Sequence, residues 1–408
     1  LNSKNPMKIK EFYLVGLTDN RSMFIGDISM MKEIKVGLLG VGGYAANYIH
    51  TVKNPQREGV TLAAAVDPYN KECDICPVYD TTEEMYRNHP DLDLVVVGTP
   101  LHLHADQVCE AFSHGCHVVV EKPLTISMEE ARRMVSARDK AGKKLGVGFQ
   151  LCADEAMLAL KADADRGLFG KPVLMKAIVL WPRGNAYYHR GSGWAGKRTT
   201  ANGTPIYDNV LSNATAHYLM NALFLADEPI ADFECRTYRA NPIETYDTAV
   251  LKGHTVSGVE VFIAVSHAAG PHLQQNPLLV YEYENATLCY GAAGEENTRF
   301  TARFKDGTTK AYPTMYAKHL PNFWNMVDAI REETPVACPP EVAMLHVDIL
   351  ERMRSVQPES TPFPAGWIQE KEDYLWVPGL AHALFECFHT STLPEWDLTK
   401  DSLEQSKG

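Results

Sequence analysis

A single lysine stands where an apolar strand is predicted to end. Residues 117–123 read His-Val-Val-Val-Glu-Lys-Pro, so Lys122 follows a β-branched run and precedes a proline. Ligands of open α/β sheets bind outside the carboxyl ends of the strands, so we expect this charge to face a crevice rather than the core. A lysine near apolar walls and other cations can lose its proton near neutral pH. Lys122 is therefore a candidate for acid–base chemistry.

A glycine-rich turn lies upstream, between an apolar segment at 34–39 and a predicted helix. Gly40 permits a tight turn, Gly42 lets backbone amides approach a pyrophosphate, and Ala45 allows the helix to pack closely on the strand. The candidate cofactor-binding residues of this turn are Gly40, Gly42, Gly43, Tyr44 and Ala45. A glycine turn without a ligand is the alternative, but the strand–turn–helix context favours a dinucleotide site.

Asp67 ends the second predicted strand, which spans residues 62–66. A carboxylate at this point can accept hydrogen bonds from the adenosine ribose, and it would repel a 2′-phosphate. No arginine follows in residues 68–71, although Lys71 is close in sequence. We therefore expect NAD as the cofactor and consider NADP less favoured.

These chemical groups require a sheet to position them. Apolar strands alternate with helical patterns through residues 33–150, which predicts a parallel sheet covered on both faces. From residue 232 to 312, short strands are joined by turn signals, which is typical of an antiparallel meander. The predicted fold class is an α/β Rossmann domain followed by an α+β domain with a mostly antiparallel sheet. We expect an extension at 1–30, the NAD(P)-binding domain at 31–150, and a substrate and oligomerisation domain at 151–408 whose tail wraps back over the body.

Several further motifs resemble those of the Gfo/Idh/MocA family, which includes glucose–fructose oxidoreductase and inositol dehydrogenase. The resemblance covers residues 33–320 in order and is most specific within 36–150. Besides the glycine turn, it rests on Thr99-Pro100 with His104, on Gly-Cys-His-Val at 115–118 and on Glu-Lys-Pro at 121–123. It implies a cofactor lined by Thr99, Pro100, His104, Glu121, Lys122 and Gln150. It also implies that Lys122 reaches both the nicotinamide ribose and a substrate hydroxyl.

Members of this family usually carry an Asp-x-x-x-His pair on one helix of the C-terminal domain. In this chain Asn213 and His217 occupy those positions. A helix over residues 212–225 would place both side chains on one face. Asn213 cannot exchange a proton, so it can only orient a neighbour by hydrogen bonds. Proton transfer then falls to Lys122 or His217, and a histidine satisfied inside the core is the alternative for His217.

The predicted irregular stretch 181–205 is rich in aromatic and cationic side chains. The candidate substrate-binding residues are Trp181, Arg183, Tyr188 and Trp194. Aromatic faces with hydrogen-bond donors suit a sugar or polyol. A subunit-contact loop fits this composition nearly as well, because interfaces are also enriched in aromatic residues and arginine.

Together these features predict an NAD(P)-dependent oxidoreductase that acts on CH–OH groups of a sugar, cyclitol or related polyhydroxy compound. Lys122, with or without His217, would handle the hydroxyl proton. Two alternatives stay open. One is a glycosidase-type enzyme that uses NAD for redox elimination, and the other is a non-catalytic regulator that senses NAD or sugar. Lys122 and His217 argue against the regulator, whereas Asn213 argues weakly for it.

Composition narrows the classes of partner. The chain has 408 residues, too many for one compact core, with 45% hydrophobic and 22% charged residues and no apolar run of membrane-spanning length. A net charge of −12 argues against nucleic-acid and anionic-membrane partners. Nine scattered cysteines are typical of reduced thiols in the cytoplasm. Cys73 and Cys76 lack a second pair of ligands, so we expect no metal site.

The two ends of the chain carry expectations of their own. The apolar patch at 12–17 is too short for a signal peptide, and Met30-Met31 precedes the first convincing strand. Residues 1–30 are therefore expected to lie outside the fold. An uncovered meander sheet in the second domain would need covering, so we expect a homodimer or homotetramer.

Overall fold

The computed structural model describes residues 32–54, 57–190, 193–291 and 298–406. The expected extension at 1–30 lies outside the described residues. Within them the chain builds two large sheets and one small hairpin. The first large sheet corresponds to the predicted Rossmann domain, and the second corresponds to the predicted mostly antiparallel sheet.

The N-terminal sheet has six parallel strands in the order β3-β2-β1-β4-β5-β6. The strands are β1 (Ile34–Leu39), β2 (Val60–Val66), β3 (Val78–Tyr79), β4 (Leu94–Val97), β5 (His117–Val120) and β6 (Leu145–Val147). Four helices alternate with them: α1 (Ala46–Lys53), α2 (Thr82–Asn88), α3 (His104–Ser113) and α4 (Met128–Ala141). All four residues of β4 are buried, as expected for a strand covered on both faces. The predicted doubly wound domain is confirmed.

Side-chain caps fix two of these helices. Thr81 accepts a hydrogen bond from Glu84 N at 3.2 Å at the start of α2, and Ser127 accepts one from Glu130 N at 3.2 Å at the start of α4. Each cap satisfies a backbone donor that the first helical turn leaves unpaired. Gly142 ends α4 in the left-handed region, at φ 62°. These residues set the start of α2 and both ends of α4.

The second sheet has nine strands in the order β14-β13-β12-β11-β7-β10-β9-β8-β15. The strands are β7 (Pro172–Leu180), β8 (Ile230–Arg239), β9 (Thr248–Thr255), β10 (Glu260–Ser266), β11 (Gln275–Tyr283), β12 (Ala286–Tyr290), β13 (Arg299–Phe304), β14 (Thr309–Thr314) and β15 (Thr361–Pro362). Only the pairs β7–β10 and β8–β15 are parallel. The predicted mostly antiparallel sheet is confirmed.

Different elements pack against the two faces of the second sheet. One face packs against α5 (Glu155–Asp165), α7 (Ala216–Ala226) and α9 (Pro340–Val356). The other face packs against the C-terminal tail, including α10 (Leu380–Thr390). The sheet side chains in this contact include Ile178, Leu180, Tyr238, Val250 and Phe262, and the tail side chains include Phe363, Trp367, Leu380, Leu384, Phe388 and Leu403. The tail therefore forms part of the core.

One helix late in the sequence returns to the first sheet. Helix α8 (Pro321–Glu332) packs Phe323 and Met326 into the same apolar cluster as Tyr48 and Val119. The rings of Phe323 and Tyr48 meet edge to face, with centroids 5.7 Å apart. This contact joins the two parts of the chain beside the end of β5.

The start of α7 differs from the sequence prediction. The helix begins at Ala216, so Asn213 precedes it and does not share a helical face with His217. Asn209 Oδ1 accepts hydrogen bonds from Leu211 N and Ser212 N, and Thr215 Oγ1 donates to Val210 O. These side-chain bonds hold residues 209–215 in turns and compete with helix formation. The predicted irregular stretch also contains a short helix, α6 (Asn185–Tyr188).

Two kinds of feature are absent from the part of the chain that the structure describes. No helix there combines the length and apolar character needed to cross a membrane. No group of three His, Cys, Asp or Glu side chains is placed there to hold a metal ion. The Sγ atoms of Cys73 and Cys76 lie 3.4 Å apart as free thiols.

Candidate functional site

The glycine turn leaves little space between the first helix and the sheet. Gly40 has φ +85°, and a Cβ added there would lie 3.1 Å from Gly98 O. Ala45 is buried, and a Cβ added to Gly98 would lie 2.8 Å from the Cβ of Ala45. Gly42 precedes the short 3-10 turn Gly43–Ala45 that leads into α1. Small residues therefore let the helix start approach the ends of β1 and β4, as a pyrophosphate-binding turn requires.

Asp67 ties this turn to the loop that follows β2. Its Oδ2 accepts a hydrogen bond from Val41 N at 3.2 Å, and its Oδ1 accepts from Tyr69 N at 3.0 Å and Asn70 N at 2.9 Å. Lys71 Nζ lies beside Asp67 and donates to Asp67 O at 2.6 Å, to Tyr79 O at 3.1 Å and to the Asp80 carboxylate at 2.8 Å. The one cation that left NADP open in the sequence is thus already paired.

His104 braces the ends of two strands. It is buried, with Nε2 at 2.9 Å from Thr99 O and Nδ1 at 3.1 Å from Pro123 O. Thr99 Oγ1 in turn donates to Gln107 Oε1 at 2.5 Å. Both ring nitrogens of His104 lie within hydrogen-bonding distance of backbone carbonyls. His104 therefore holds the Thr99-Pro100 turn against the Lys122-Pro123 segment.

Glu121 and Gln150 border the other side of the crevice. Glu121 is buried, and its Oε1 accepts a hydrogen bond from Tyr48 Oη at 2.7 Å. Burial raises the pKa of this carboxyl, and the Tyr48 hydrogen bond opposes the shift. Gln150 Nε2 donates to Tyr44 Oη, so the end of β6 meets the glycine turn directly. Tyr44 and Gln150, both expected to line the cofactor, are therefore in contact.

Lys122 is held by the turn that precedes α7. Its Nζ donates to Asn213 O at 2.7 Å and to Asn213 Oδ1 at 2.9 Å. Burial lowers the pKa of Lys122, with a smaller contribution from the charge of Arg190. The charges of Glu121 and Asp208 act in the opposite direction. The structure thus brings Lys122 and Asn213 together and favours the uncharged amine more than water would.

His217 lies in the first turn of α7, packed edge to face against Phe149 with ring centroids 5.9 Å apart. Its Nδ1 is buried and has no hydrogen-bond partner among the described residues. Burial lowers the pKa of His217 to about 3, and the charge of Lys122 contributes to the shift. A histidine with this pKa stays neutral at physiological pH and is a weak proton acceptor there.

Sequence reasoning missed a carboxylate beside this pair. Asp208 is 4% exposed, and its Oδ2 accepts a hydrogen bond from Gly196 N at 2.7 Å. Burial raises the pKa of Asp208 to about 6, opposed by the Gly196 amide, by the Asn213 side chain and by the charges of Arg190 and Lys122. The signal available in the sequence was its place five residues before Asn213, outside the expected helix.

The aromatic and cationic loop folds around Tyr187. The guanidinium carbon of Arg190 lies 3.6 Å from the centre of that ring, and that of Arg183 lies 5.1 Å from it. Of the other candidate residues, Trp181 meets Arg183 at 5.7 Å and Trp194 meets Arg190 at 5.3 Å. Tyr188 is buried, and its hydroxyl has no partner among the described residues. The four predicted substrate residues thus surround one group of cations.

A second missed carboxylate anchors this loop from the tail. Asp373 lies in the turn of the hairpin formed by β16 (Gln369–Lys371) and β17 (Tyr374–Trp376). Its backbone carbonyl accepts from Asn185 N at 2.7 Å, and its carboxylate accepts from Ala186 N at 3.0 Å. A Cβ added to Gly184 would collide with the Asp373 carboxylate. No local pattern links positions so far apart, so this contact could not be predicted from sequence.

Comparison with known proteins agrees with the fold and the cofactor-binding turn. Residues 34–149 match the model of the Gfo/Idh/MocA oxidoreductase family, described as an NAD-binding Rossmann fold. The chain is 33% identical over 207 residues to a 1,5-anhydro-D-fructose reductase of Ensifer adhaerens, covering 50% of this chain and 57% of that protein. It is 29% identical over 160 residues to the scyllo-inositol 2-dehydrogenase (NAD(+)) of Bacillus subtilis strain 168, covering 37% of this chain and 45% of that protein. The chain thus spans about half the length of these curated relatives.

Among solved structures, the WlbA dehydrogenase of Bordetella pertussis in complex with NADH and UDP-GlcNAcA has a TM-score of 0.65 at 23% identity. The match covers 78% of this chain and 94% of that chain, so the similarity of fold extends into the second sheet. The family model, the curated relatives and the shared fold agree with one another. Residues 34–149 are thus similar to the NAD-binding Rossmann domain of the Gfo/Idh/MocA oxidoreductase family, and the similarity of fold to a solved structure extends over both sheets.

Proposed function

We propose that this protein is an NAD-dependent oxidoreductase that converts a secondary hydroxyl of a sugar, cyclitol or related polyhydroxy compound to a carbonyl, or the reverse. The observation that carries the proposal is the position of Lys122. It follows the end of β5 by two residues, and its Nζ is held by Asn213 in partly buried surroundings. The reductase and dehydrogenase named among the relatives act on compounds of this class.

The residues around the turn fit a dinucleotide. Gly40 and Gly98 approach each other where an added Cβ on either would meet backbone or the Ala45 side chain. We infer that the turn 40–45 holds the pyrophosphate, that Asp67 faces the adenosine ribose, and that Thr99, Pro100, Glu121 and Gln150 border the nicotinamide half. Asp67 supports NAD over NADP, because its carboxylate would repel a 2′-phosphate, and the nearby Lys71 is already bonded to Asp67 O and Asp80.

In the oxidative direction, NAD supplies the hydride acceptor at nicotinamide C4. Lys122, as the neutral amine, accepts the hydroxyl proton while the carbon gives up its hydride, so an alcohol and NAD yield a carbonyl, NADH and one proton. Asn213 orients the amine through its two oxygens. His217 stays neutral and can hydrogen-bond the substrate oxygen through the ring nitrogen that faces it. This division of roles assigns proton transfer to Lys122 rather than to His217.

The test is a panel of sugars, cyclitols and sugar acids, monitored for NADH formation by wild type and by Lys122→Met. We expect turnover with at least one compound and a loss of about 10²- to 10⁴-fold in Lys122→Met, because general acid–base catalysis contributes that much. Lys140→Met is the matched control, since Lys140 is exposed near the end of α4.

The affinity for NAD, followed by fluorescence, should be similar in all three proteins. No NADH formation with any compound, despite tight NAD binding, would reject the oxidoreductase and favour a sensor. Turnover in Lys122→Met close to that of Lys140→Met would reject Lys122 as the proton acceptor.

A further inference from the structure

We propose that the substrate carries an oxyanion, a carboxylate or a phosphate, which Arg183 and Arg190 bind while its reacting hydroxyl faces Lys122. The inference rests on the proposed function, and it narrows the substrate from polyhydroxy compounds in general to acidic ones. It follows from how the two guanidinium groups are placed and from what they lack.

Both guanidinium groups gather around one aromatic ring. The guanidinium carbon lies over the ring of Tyr187 at 5.1 Å for Arg183 and at 3.6 Å for Arg190. Such stacking fixes a planar guanidinium while leaving its edge free to meet an anion. Arg190 is further held by a hydrogen bond from Nη1 to Tyr187 O at 2.7 Å. Two oriented positive charges thus lie around one ring.

Neither guanidinium is neutralised within the described parts of the chain. Arg183 and Arg190 form no ion pair there, and Arg183 Nε is buried without a hydrogen-bond partner. A buried donor of a charged group that lacks a partner costs free energy, so such a donor points to a missing acceptor. A carboxylate or phosphate oxygen fits best, because it supplies the charge and accepts paired hydrogen bonds from a guanidinium.

The carboxylates near this group accept hydrogen bonds from backbone amides rather than from the two guanidinium groups, and Asp208 acts on Arg190 only through its charge. Asp208 accepts a hydrogen bond from Gly196 N at 2.7 Å, and the Asp373 carboxylate accepts one from Ala186 N at 3.0 Å. His267, which packs against the Tyr187 ring at 5.5 Å, contributes no negative charge. The phenols of Tyr187 and Tyr188 have pKa values raised by burial, so they stay neutral as well. No carboxylate of the described residues is ion-paired with either guanidinium, so their remaining donors stay open to an added anion.

The same loop reaches the proposed reaction centre. Arg190 is near enough to Lys122 and to Asp208 for its charge to lower the pKa of both groups. Lys122 itself is fixed by Asn213 at 2.7 Å. An anion bound by the arginines and a hydroxyl bound by Lys122 can therefore belong to one small molecule. This pairing selects sugar acids or sugar phosphates over neutral sugars.

The experiment compares matched compounds by titration calorimetry with the NAD-loaded protein. D-Glucuronate is paired with D-glucose, D-galacturonate is paired with D-galactose, and glucose 6-phosphate forms a third arm. We expect at least one anion to bind about tenfold or more tightly than its neutral counterpart, a difference of about 1.4 kcal/mol. The arm with the larger preference decides between carboxylate and phosphate. The preference should shrink at high salt, because ions screen the pairing.

Substitutions at the two arginines test whether they cause the preference for anions. Arg183→Gln and Arg190→Gln should each reduce the ratio of anion affinity to neutral-sugar affinity, and Arg183→Lys should restore part of it. Arg132→Gln, an exposed position on α4, is the matched control and should behave as wild type. Anions that bind no tighter than neutral counterparts in any arm, or a preference that persists in both glutamine variants, would overturn the inference.

NADH formation in the same samples separates this inference from the proposed function. Binding selective for anions but without NADH from any compound would reject the oxidoreductase and leave the arginine site in place. NADH formation from neutral sugars alone, with no binding of the anions, would leave the oxidoreductase in place and reject the arginine site.

Discussion

Lys122 owes its position to an asparagine and its charge balance to more distant carboxylates. The two hydrogen bonds to Asn213 orient the amine without placing a negative charge in contact with it. Burial and Arg190 lower the pKa of Lys122, whereas Glu121 and Asp208 raise it. An asparagine rather than an aspartate at position 213 therefore favours the neutral amine, the form that the proposed proton transfer needs.

The buried Asp208 makes stability depend on pH. Its pKa is raised from 3.8 to about 6 in the folded protein, so folding holds the proton more tightly than the unfolded chain does. This contribution favours folding below pH 4 and is lost as the pH rises through about 6. We expect Asp208→Asn to raise the free energy of unfolding at pH 8 by up to about 3 kcal/mol, with little change at pH 4.

Urea unfolding at both pH values measures this difference. Asp401→Asn, at an exposed position, is the control and should leave the stability unchanged within about 0.5 kcal/mol. A less stable Asp208→Asn at pH 8 would mean that the carboxylate is stabilised by its surroundings, contrary to the raised pKa.

At the scale of elements, the close contact between the glycine turn and β4 has a direct consequence. A Cβ on Gly98 would lie 2.8 Å from the Cβ of Ala45, so Gly98→Ala should push the start of the helix away from the sheet. We expect weaker NAD binding by about tenfold and a loss of about 1–3 kcal/mol in stability from overpacking. Fluorescence titration and thermal unfolding measure the two effects.

Gly366→Ala is the matched control for that variant. Gly366 has no neighbour within 4 Å of an added Cβ, and it lies in an exposed turn of the tail. It should bind NAD as wild type does. Equal NAD affinity in Gly98→Ala and Gly366→Ala would show that the turn does not need its close approach to β4.

We expect the hairpin of β16 and β17 to hold residues 184–186 in place beside the candidate substrate-binding residues. Asp373→Ala removes the carboxylate that accepts from Ala186 N, while the backbone contact to Asn185 N can remain. We expect the KM for the best substrate to rise by about threefold to tenfold, since one hydrogen bond to a charged group contributes about 1–2 kcal/mol at most here. NAD affinity should not change, and a variant with the KM of wild type would remove Asp373 from the site.

Several elements could be predicted from sequence because their signals are local. The alternation of strands and helices through residues 33–150 was predicted because apolar runs such as 94–97 and caps such as Ser127 each depend on a few adjacent residues. The start of α7 was predicted wrongly at residue 212, because side-chain hydrogen bonds of Asn209 and Thr215 override the helical pattern. Asp208 and Asp373 were missed because their contacts join distant parts of the chain.

The C-terminal tail limits where the subunits of an oligomer could meet. The expected homodimer or homotetramer rested partly on an uncovered meander sheet. The tail instead covers one face of that sheet, with Leu384 and Phe388 packed near Val250 and Phe262. The oligomer remains a prediction, and any interface on that face must form on the tail rather than on the sheet.

The tail should also contribute strongly to stability. Leu384 is fully buried on α10, so Leu384→Ala should lower the free energy of unfolding by about 2–5 kcal/mol. His389→Ala, exposed at the end of the same helix, is the control and should cost much less. Thermal unfolding compares the two. A Leu384→Ala protein as stable as His389→Ala would show that the tail is only loosely attached to the sheet.

The most direct test of the account is the pH dependence of kcat/KM for oxidation of the best substrate by wild type and Lys122→Met. In wild type, kcat/KM should rise with pH through an apparent pKa below that of an ordinary lysine, because burial lowers the pKa of Lys122. In Lys122→Met that rise should vanish, and the residual rate should be lower by about 10²- to 10⁴-fold with NAD still bound. The same pH-dependent rise in Lys122→Met, at a rate near that of wild type, would contradict the account.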